Sequence, residues 1–221
     1  MLRAFAPRSR HRKGDAMNVT LLDYGAGNVP SVQRALQRQG IHSERANTPA
    51  QISAAKVLIL PGVGHYAALI RALDNQFLRE PLLEKISSGT PFLGICLGLQ
   101  ALFEASDESP DLVGLKIFTG RVTSLPRTAK LPHMGWNTLR FQLSSPLFDG
   151  ISQEDYFYFA HSYAATGAIT QFDSPGIALS HHGEDFASVV EHGNIYGVQF
   201  HPEKSGAPGA RLLANFLRLA A

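Results

Sequence analysis

Residues 56–60 (KVLIL) form an almost unbroken apolar run that stops at Pro61-Gly62. A strand with apolar residues on both sides must be covered on both faces, and such strands belong to parallel sheets layered with helices. The surrounding segments alternate accordingly. Residues 18–23 (NVTLLD) read as a strand. Residues 29–40 place Val29, Val32 and Leu36 on one helical stripe and reach a stop at Gly40. A helical pattern over 77–88 precedes a strand at 91–96 (PFLGIC), and 97–105 turns helical. This β-α-β-α order predicts a mostly parallel sheet with helices on both faces.

The second half reads differently. Short strand-like runs at 115–118, 137–141, 156–163, 176–179, 187–190 and 195–200 are separated by turn residues. They predict antiparallel or mixed sheet. A helix near 208–220, with Leu212, Leu213, Phe216 and Leu217 as its stripe, closes the chain.

The 221 residues suit one domain, since domains average roughly 150 residues. With 44% hydrophobic and 17% charged residues, wholesale disorder is excluded. The longest apolar runs are strand-sized, far below the roughly 20 residues of a membrane span. The net charge of +2 is unevenly placed. Arg3, Arg8, Arg10, Arg12 and Lys13 face only Asp15 in residues 1–16, so the rest is net acidic. That argues against a nucleic-acid surface on the body. We read 1–16 as a basic, disordered extension and 17–221 as the folded domain. The extension lacks the apolar stretch of a secretory signal and faintly resembles an organellar transit peptide. Met17 is an alternative natural start, and the domain is expected to be cytoplasmic.

Cys96 is the only cysteine, so no intrachain disulfide forms. A lone cysteine is usually a small buried hydrophobe. This one is centred in Gly94-Ile95-Cys96-Leu97-Gly98, the thiol counterpart of the G-x-S-x-G nucleophile elbow. Glycines two before and two after remove the Cβ atoms that would clash in a sharp strand-to-helix turn. The following helix would aim N–H groups and a positive dipole end at a thiolate. The N–H of Leu97 is placed to donate to an oxyanion. A buried cysteine in a glycine-rich strand end is the plain alternative.

In Gly197-Val198-Gln199-Phe200-His201-Pro202-Glu203, a strand end presents His201 and Glu203 two residues apart, on one face of an extended chain. Pro202 stiffens the link. An imidazole oriented by a carboxylate is what a cysteine nucleophile requires, although a surface histidine beside a solvated glutamate has the same spacing. Pro61-Gly62-Val63-Gly64 follows the KVLIL strand, where open α/β sheets bind ligands. Gly62 and Gly64 permit close backbone approach to a ligand, and Val63 or Gly64 offers a second oxyanion N–H. An ordinary βα turn fits the same residues.

Glycine turn, cysteine elbow and His-x-Glu in this order resemble the class I, triad-type glutamine amidotransferases over residues 17–221. The resemblance implies a flavodoxin-like α/β fold with added antiparallel strands. It implies Cys96 as nucleophile on the glutamine side-chain amide, His201 as acid and base, and Glu203 as orienting carboxylate. Gln100, Ser162 and Tyr163 match positions that contact glutamine, although Gln100 could equally be an exposed helix residue. Asp23-Tyr24-Gly25-Ala26-Gly27-Asn28, Pro132-His133-Met134-Gly135-Trp136-Asn137, Tyr158-Phe159-Ala160-His161-Ser162-Tyr163 and His201-Pro202-Glu203-Lys204-Ser205 look like one branch. That branch is the glutaminase subunits of imidazole glycerol phosphate synthase, whose partner is a (β/α)8-barrel cyclase subunit. The resemblance places Asn28, Trp136, Tyr158 and Lys204 towards that cyclase. On the residues alone, Asn28 reads as an N-cap, Trp136 as core, Tyr158 as a strand aromatic and Lys204 as a solvated charge. Pro30 is unusual so near a helix start but tolerable in the first turn.

His11, His65, His181, His182 and His192 form no metal spacing, and Cys96 has no cysteine partner for zinc. Neither a metal nor a cofactor is expected, because acyl transfer through a thiol needs neither. A different amidotransferase branch, a stand-alone thiol hydrolase and a non-catalytic interaction subunit are the other readings. A different branch leaves the Pro132–Asn137 segment unexplained.

Overall fold

The structure, a computed structural model, describes residues 18–166 and 178–221. The first half consists of β1 (Val19–Leu22), α1 (Val29–Gln37), β2 (Ser43–Ala46), α2 (Pro49–Ser53), β3 (Leu58–Gly62), α3 (Tyr66–Asn75), α4 (Arg79–Ser87), β4 (Phe92–Cys96) and the single turn α5 (Leu97–Gln100). Then follow β5 (Phe103–Ser106), β6 (Phe118–Ser124), β7 (His133–Thr138), β8 (Arg140–Phe141), β9 (Tyr156–His161) and β10 (Tyr163–Ala165). The chain ends with β11 (Ala178–His181), β12 (Asp185–His192), β13 (Ile195–Val198) and α6 (Gly206–Leu219).

The main sheet has eight strands in the order β2-β1-β3-β4-β13-β12-β11-β8. Strands β2 to β13 in that order are parallel, and the last three are antiparallel. Two smaller sheets, β10-β6-β5 and β7-β9, accompany it. The apolar runs supply both faces at once. Val57 and Ile59 enter one core with α1 and α6, whereas Leu58 and Leu60 enter the other with α2, α3 and α4. The five parallel strands have the doubly wound order that opens a crevice beyond their carboxyl ends.

Several expected boundaries move, each for a local reason. The 77–88 helix starts at Arg79, since Phe77 has a left-handed φ of 57°. The helix expected over 97–105 stops at Gln100, and 103–106 is a strand. The run 115–118 is strand only from Phe118. Its earlier amides instead satisfy the end of α5: Leu115 N–H bonds Ala101 O at 2.7 Å and Ile117 N–H bonds Leu102 O at 2.9 Å. Run 137–141 splits at the buried Leu139 between two sheets, and run 156–163 splits at Ser162. Strand β2 and helices α2 and α3 were not legible; β2 (SERA) is an edge strand with exposed Glu44 and Arg45. Of run 176–179, only Ala178 and Leu179 fall among the described residues, and the 1–16 extension lies outside them.

Candidate active site

The segments singled out in the sequence converge at the carboxyl ends of β1, β3, β4 and β13. Cys96 ends β4 with φ 53° and ψ −107°, a strained conformation for a residue with a Cβ. The elbow closes only around glycine. A Cβ on Gly98 would lie 2.0 Å from Leu60 O, and one on Gly94 would lie 2.6 Å from Gly98 O.

Gly62, expected at the ligand, has another role. It pairs with Cys96 across β3 and β4, and a Cβ there would lie 2.6 Å from the Leu97 Cβ and 2.7 Å from the Gly98 N. Its missing side chain lets β3 press on the elbow, and the wall of the cavity at Cys96 is made instead by Val63 and Gly64. The helix dipole expected behind the thiol is also much reduced. The helix is a single turn, too short for aligned peptide dipoles to sum appreciably.

What faces the sulfur is a set of side chains. Gln199 Nε2 donates to Cys96 Sγ at 3.5 Å, and His201 lines the same cavity beside the thiol. His201 Nδ1 lies 3.0 Å from Glu203 Oε1, with the two side chains 3% and 1% exposed. Burial alone would pull the imidazole pKa down. Hydrogen bonds and charge attraction from Cys96 and Glu203 outweigh it and push His201 up to about 10. The solvated-glutamate alternative is therefore excluded by burial. The turn carrying both residues is fixed from beneath. Tyr158 O accepts from His201 N–H at 2.8 Å, and Ser205 Oγ donates to His201 O at 2.7 Å while accepting from Tyr158 N–H at 2.9 Å.

The cavity over Cys96 measures about 260 Å³ and is lined by Val63, Gly64, Leu97, Gln100, Glu108, Ala160, His161, Ser162, Tyr163, His201 and Lys204. Gln100 is not an exposed helix residue; it is 3% exposed. Its Nε2 donates to Tyr163 O at 2.7 Å and to Gln199 Oε1 at 3.1 Å, which leaves Oε1 as its remaining polar atom. The Tyr163 carbonyl, expected to meet a ligand, is occupied by Gln100 and by His161 Nδ1 at 2.9 Å. A larger groove, about 520 Å³ near Thr20, Arg45 and Gln51, contains no cysteine or histidine.

Asn28 sits at the N-cap of α1 but makes no side-chain cap bond. Its Nδ2 instead donates to Glu203 Oε1 at 3.3 Å. Trp136 is not core; it is 55% exposed. It meets Tyr158 edge-on, centroids 5.8 Å apart, and Lys204 Nζ lies 5.6 Å above the Tyr158 ring. These three form one surface cluster beside the cavity, with exposed Met134 and Tyr156 on the same two-stranded ribbon. His65 caps α3, its Nδ1 accepting from Ala67 N–H at 3.2 Å.

Sequence reasoning missed Gln199, Glu108 and His161. Gln199 carried a usable signal, since it lies two residues before His201. Glu108 carried none. It reaches the cavity because its Oε2 accepts from Tyr66 N–H, at 2.7 Å, across 42 residues.

A family profile described as "Glutamine amidotransferase class-I" matches residues 20–220. The imidazole glycerol phosphate synthase subunit HisH of Desulfitobacterium hafniense is 42% identical over 198 residues, covering 90% of this chain and 92% of that protein. The protein of the same name from Deinococcus radiodurans is 41% identical over 205 residues, covering 92% and 94%. Among solved structures, PurLQS from Thermotoga maritima superposes with a TM-score of 0.72 at 17% identity, covering 94% of this chain and all of that one. A crystal structure of a glutamine amidotransferase superposes with a TM-score of 0.68 at 20% identity, covering 91% and 98%.

Proposed function

The chain belongs to the class-I glutamine amidotransferases, in the branch of the HisH subunits of imidazole glycerol phosphate synthase, and from that premise we propose how its own residues carry out glutamine hydrolysis. The observation that supports the reading best is that Cys96 and His201 share one cavity, with His201 backed by the buried Glu203. Cys96 Sγ attacks the side-chain carbonyl carbon of glutamine. The protonated His201 gives its Nε2 proton to the departing ammonia, and a thioester remains. Water, losing a proton to His201, then adds to the thioester and releases glutamate and the thiol. The oxyanion of each addition is held by the N–H of Leu97 with that of Val63 or Gly64. Glu203 keeps the imidazole aimed and its charge balanced. Gln100 Oε1 and the Glu108 carboxylate supply acceptors for the α-ammonium group of glutamine, and Ser162 and Tyr163 close the wall.

The ammonia passes to a cyclase subunit with a (β/α)8 barrel, which makes imidazole glycerol phosphate and an aminoimidazole carboxamide ribotide in histidine biosynthesis. Trp136, Tyr158 and Lys204 are the docking cluster, with Asn28 at its inner edge. An exposed tryptophan flanked by a tyrosine and a cation has the make-up of an interface anchor. A nucleophilic thiol must stay reduced, which suits a cytoplasmic site.

Glutamate release is measured from the chain alone, then with a cyclase subunit and its nucleotide substrate. Strong stimulation by the cyclase is expected, because an uncoupled glutaminase wastes glutamine. Equal turnover in both conditions overturns the coupling, and turnover that survives Cys96→Ala overturns the nucleophile.

A further inference from the structure

Three histidines outside the catalytic chain, His133, His161 and His182, lie together beside the cavity. His133 stacks on His182 with centroids 4.1 Å apart and on Phe159 at 4.9 Å. Burial drives His133 down to about 4 and His161 to about 3, each helped by a neighbouring imidazole, so both rings are neutral at neutral pH. Neutral rings have one donor and one acceptor nitrogen each, so their partners fix the tautomers.

His161 Nδ1 faces Tyr163 O at 2.9 Å; a carbonyl only accepts, so Nδ1 carries the proton and Nε2 is bare. His133 Nδ1 lies 3.0 Å from His161 Nε2, so His133 also carries its proton on Nδ1. Its bare Nε2 accepts from Asn137 Nδ2 at 3.3 Å. The Asn137 amide is itself oriented, because Oδ1 accepts from Thr138 N–H at 2.9 Å and Nδ2 also donates to His181 O at 3.0 Å.

Every donor along this chain points inward, and the chain continues past the carbonyl. Tyr163 O takes a second hydrogen bond from Gln100 Nε2, which also donates to Gln199 Oε1. With its Oε1 so engaged, Gln199 must present Nε2, and not its carbonyl, to Cys96 Sγ. A reversed Gln199 amide would set an oxygen against the sulfur.

We propose that His133 and His161 are positioning residues for glutamine hydrolysis, a neutral two-imidazole relay that fixes the Tyr163 carbonyl and through it the amides of Gln100 and Gln199 at Cys96. The inference rests on the glutaminase reading of this cavity. The relay starts at Asn137, next to Trp136, so the strand that carries Trp136 of the docking cluster also holds the outer end of the polar chain. Hydrogen bonds in series polarise one another, which makes the set stiffer than its separate links.

Two variants and one spectrum test this. His133→Phe keeps the stacked ring and deletes both hydrogen bonds, whereas His133→Asn keeps a donor near the Nδ1 position. With the cyclase partner present, His133→Phe is expected to lower kcat/KM for glutamine about tenfold, mainly through KM because the Tyr163 carbonyl that anchors Gln100 is held less firmly. His133→Asn restores it to within about twofold. In the wild-type chain, nitrogen-15 imidazole spectra show His161 as the Nδ1–H tautomer with its Nε2 hydrogen-bonded; His133→Phe removes the hydrogen-bond shift at Nε2 and leaves the tautomer, which the Tyr163 carbonyl fixes. Unchanged kcat/KM in a folded His133→Phe protein overturns the relay, and so does equal impairment of both variants, which marks a packing role. An Nε2–H tautomer at His161 in the wild type overturns it even if His133→Phe does not fold. Wild-type protein without glutamine turnover defeats the glutaminase reading instead, and the tautomer measurement still judges the relay.

Discussion

Asn28 Nδ2 donates to Glu203 Oε1, at 3.3 Å, the same oxygen that lies 3.0 Å from His201 Nδ1. One carboxylate oxygen thus joins the first turn after β1 to the His201–Glu203 turn after β13. Glu203 Oε2 is buried with no hydrogen-bond partner among the described residues, so the carboxylate depends on the two donors at Oε1. Asn28→Ala is expected to reduce kcat roughly tenfold through misorientation of His201, while unfolding is little changed because the side chain caps nothing. Asn28→Asp is expected to be worse, since a second carboxylate would face the first. Steady-state glutaminase assays beside thermal unfolding check both; a stability loss that matches the activity loss would count against the link.

His201 titrates near 6.5 when unfolded and near 10 when folded, because the Cys96 and Glu203 hydrogen bonds outweigh burial. A raised pKa gives stability that is complete below the unfolded value and is lost as pH rises through the folded one. His201→Asn should therefore destabilise the protein more at pH 6 than at pH 10, as read by chemical denaturation. In Cys96→Ala the imidazole midpoint should fall, which a proton NMR titration follows directly. An unchanged midpoint would remove Cys96 from the pair.

Gly98 and Gly64 are glycines for different reasons. Gly98→Ala forces a Cβ to 2.0 Å from Leu60 O, a backbone atom that cannot yield. It is expected to cost several kcal/mol, about 3 or more, or to prevent folding. Gly64 has φ +94°, and a Cβ added there would meet nothing within 4 Å, so Gly64→Ala introduces backbone strain alone, about 1 kcal/mol. Gly64→Ala should fold and lose activity. Comparable melting temperatures for the two variants would contradict this reading.

Trp136→Ala should leave the melting temperature of the isolated chain within error, as the side chain is half-exposed. It should weaken cyclase binding by about 2 kcal/mol, roughly thirtyfold in Kd. Calorimetric titration with the cyclase reads this, and an unchanged Kd would move the docking surface elsewhere.

Glu108→Gln retains an oxygen that can accept from Tyr66 N–H but removes the charge facing the cavity. The expected outcome is a rise of about tenfold in KM for glutamine with kcat nearly unchanged. A fall in kcat alone would place Glu108 in the chemistry and not in substrate binding.

Legibility in the sequence followed the range of the forces involved. The elbow at Cys96, the His201-x-Glu203 pair and the buried β3 and β4 strands are short-range matters of steric clearance, two-residue spacing and continuous apolar runs. They stand in consecutive residues, which a reader can weigh without knowing the fold. The errors fell where distant residues decide. The 97–105 helix was cut to one turn because residues 115–118 return to satisfy its last carbonyls. Trp136, apolar enough for a core, stands exposed because it lies on the outer face of the β7–β9 ribbon, opposite the face that buries Phe157 and Phe159.

The sequence by itself determined the Cys96 elbow, the His201-x-Glu203 spacing and the parallel sheet that holds them, since each is written in local spacing. Tertiary structure alone decided that Asn28 reaches Glu203 across 175 residues, that Gln199 turns its N–H to the sulfur, and that Glu108 and His161 border the cavity. The physical reason is that a side-chain hydrogen bond needs its partners within about 3.5 Å, and only the packed sheet brings residues so far apart in the chain to that distance.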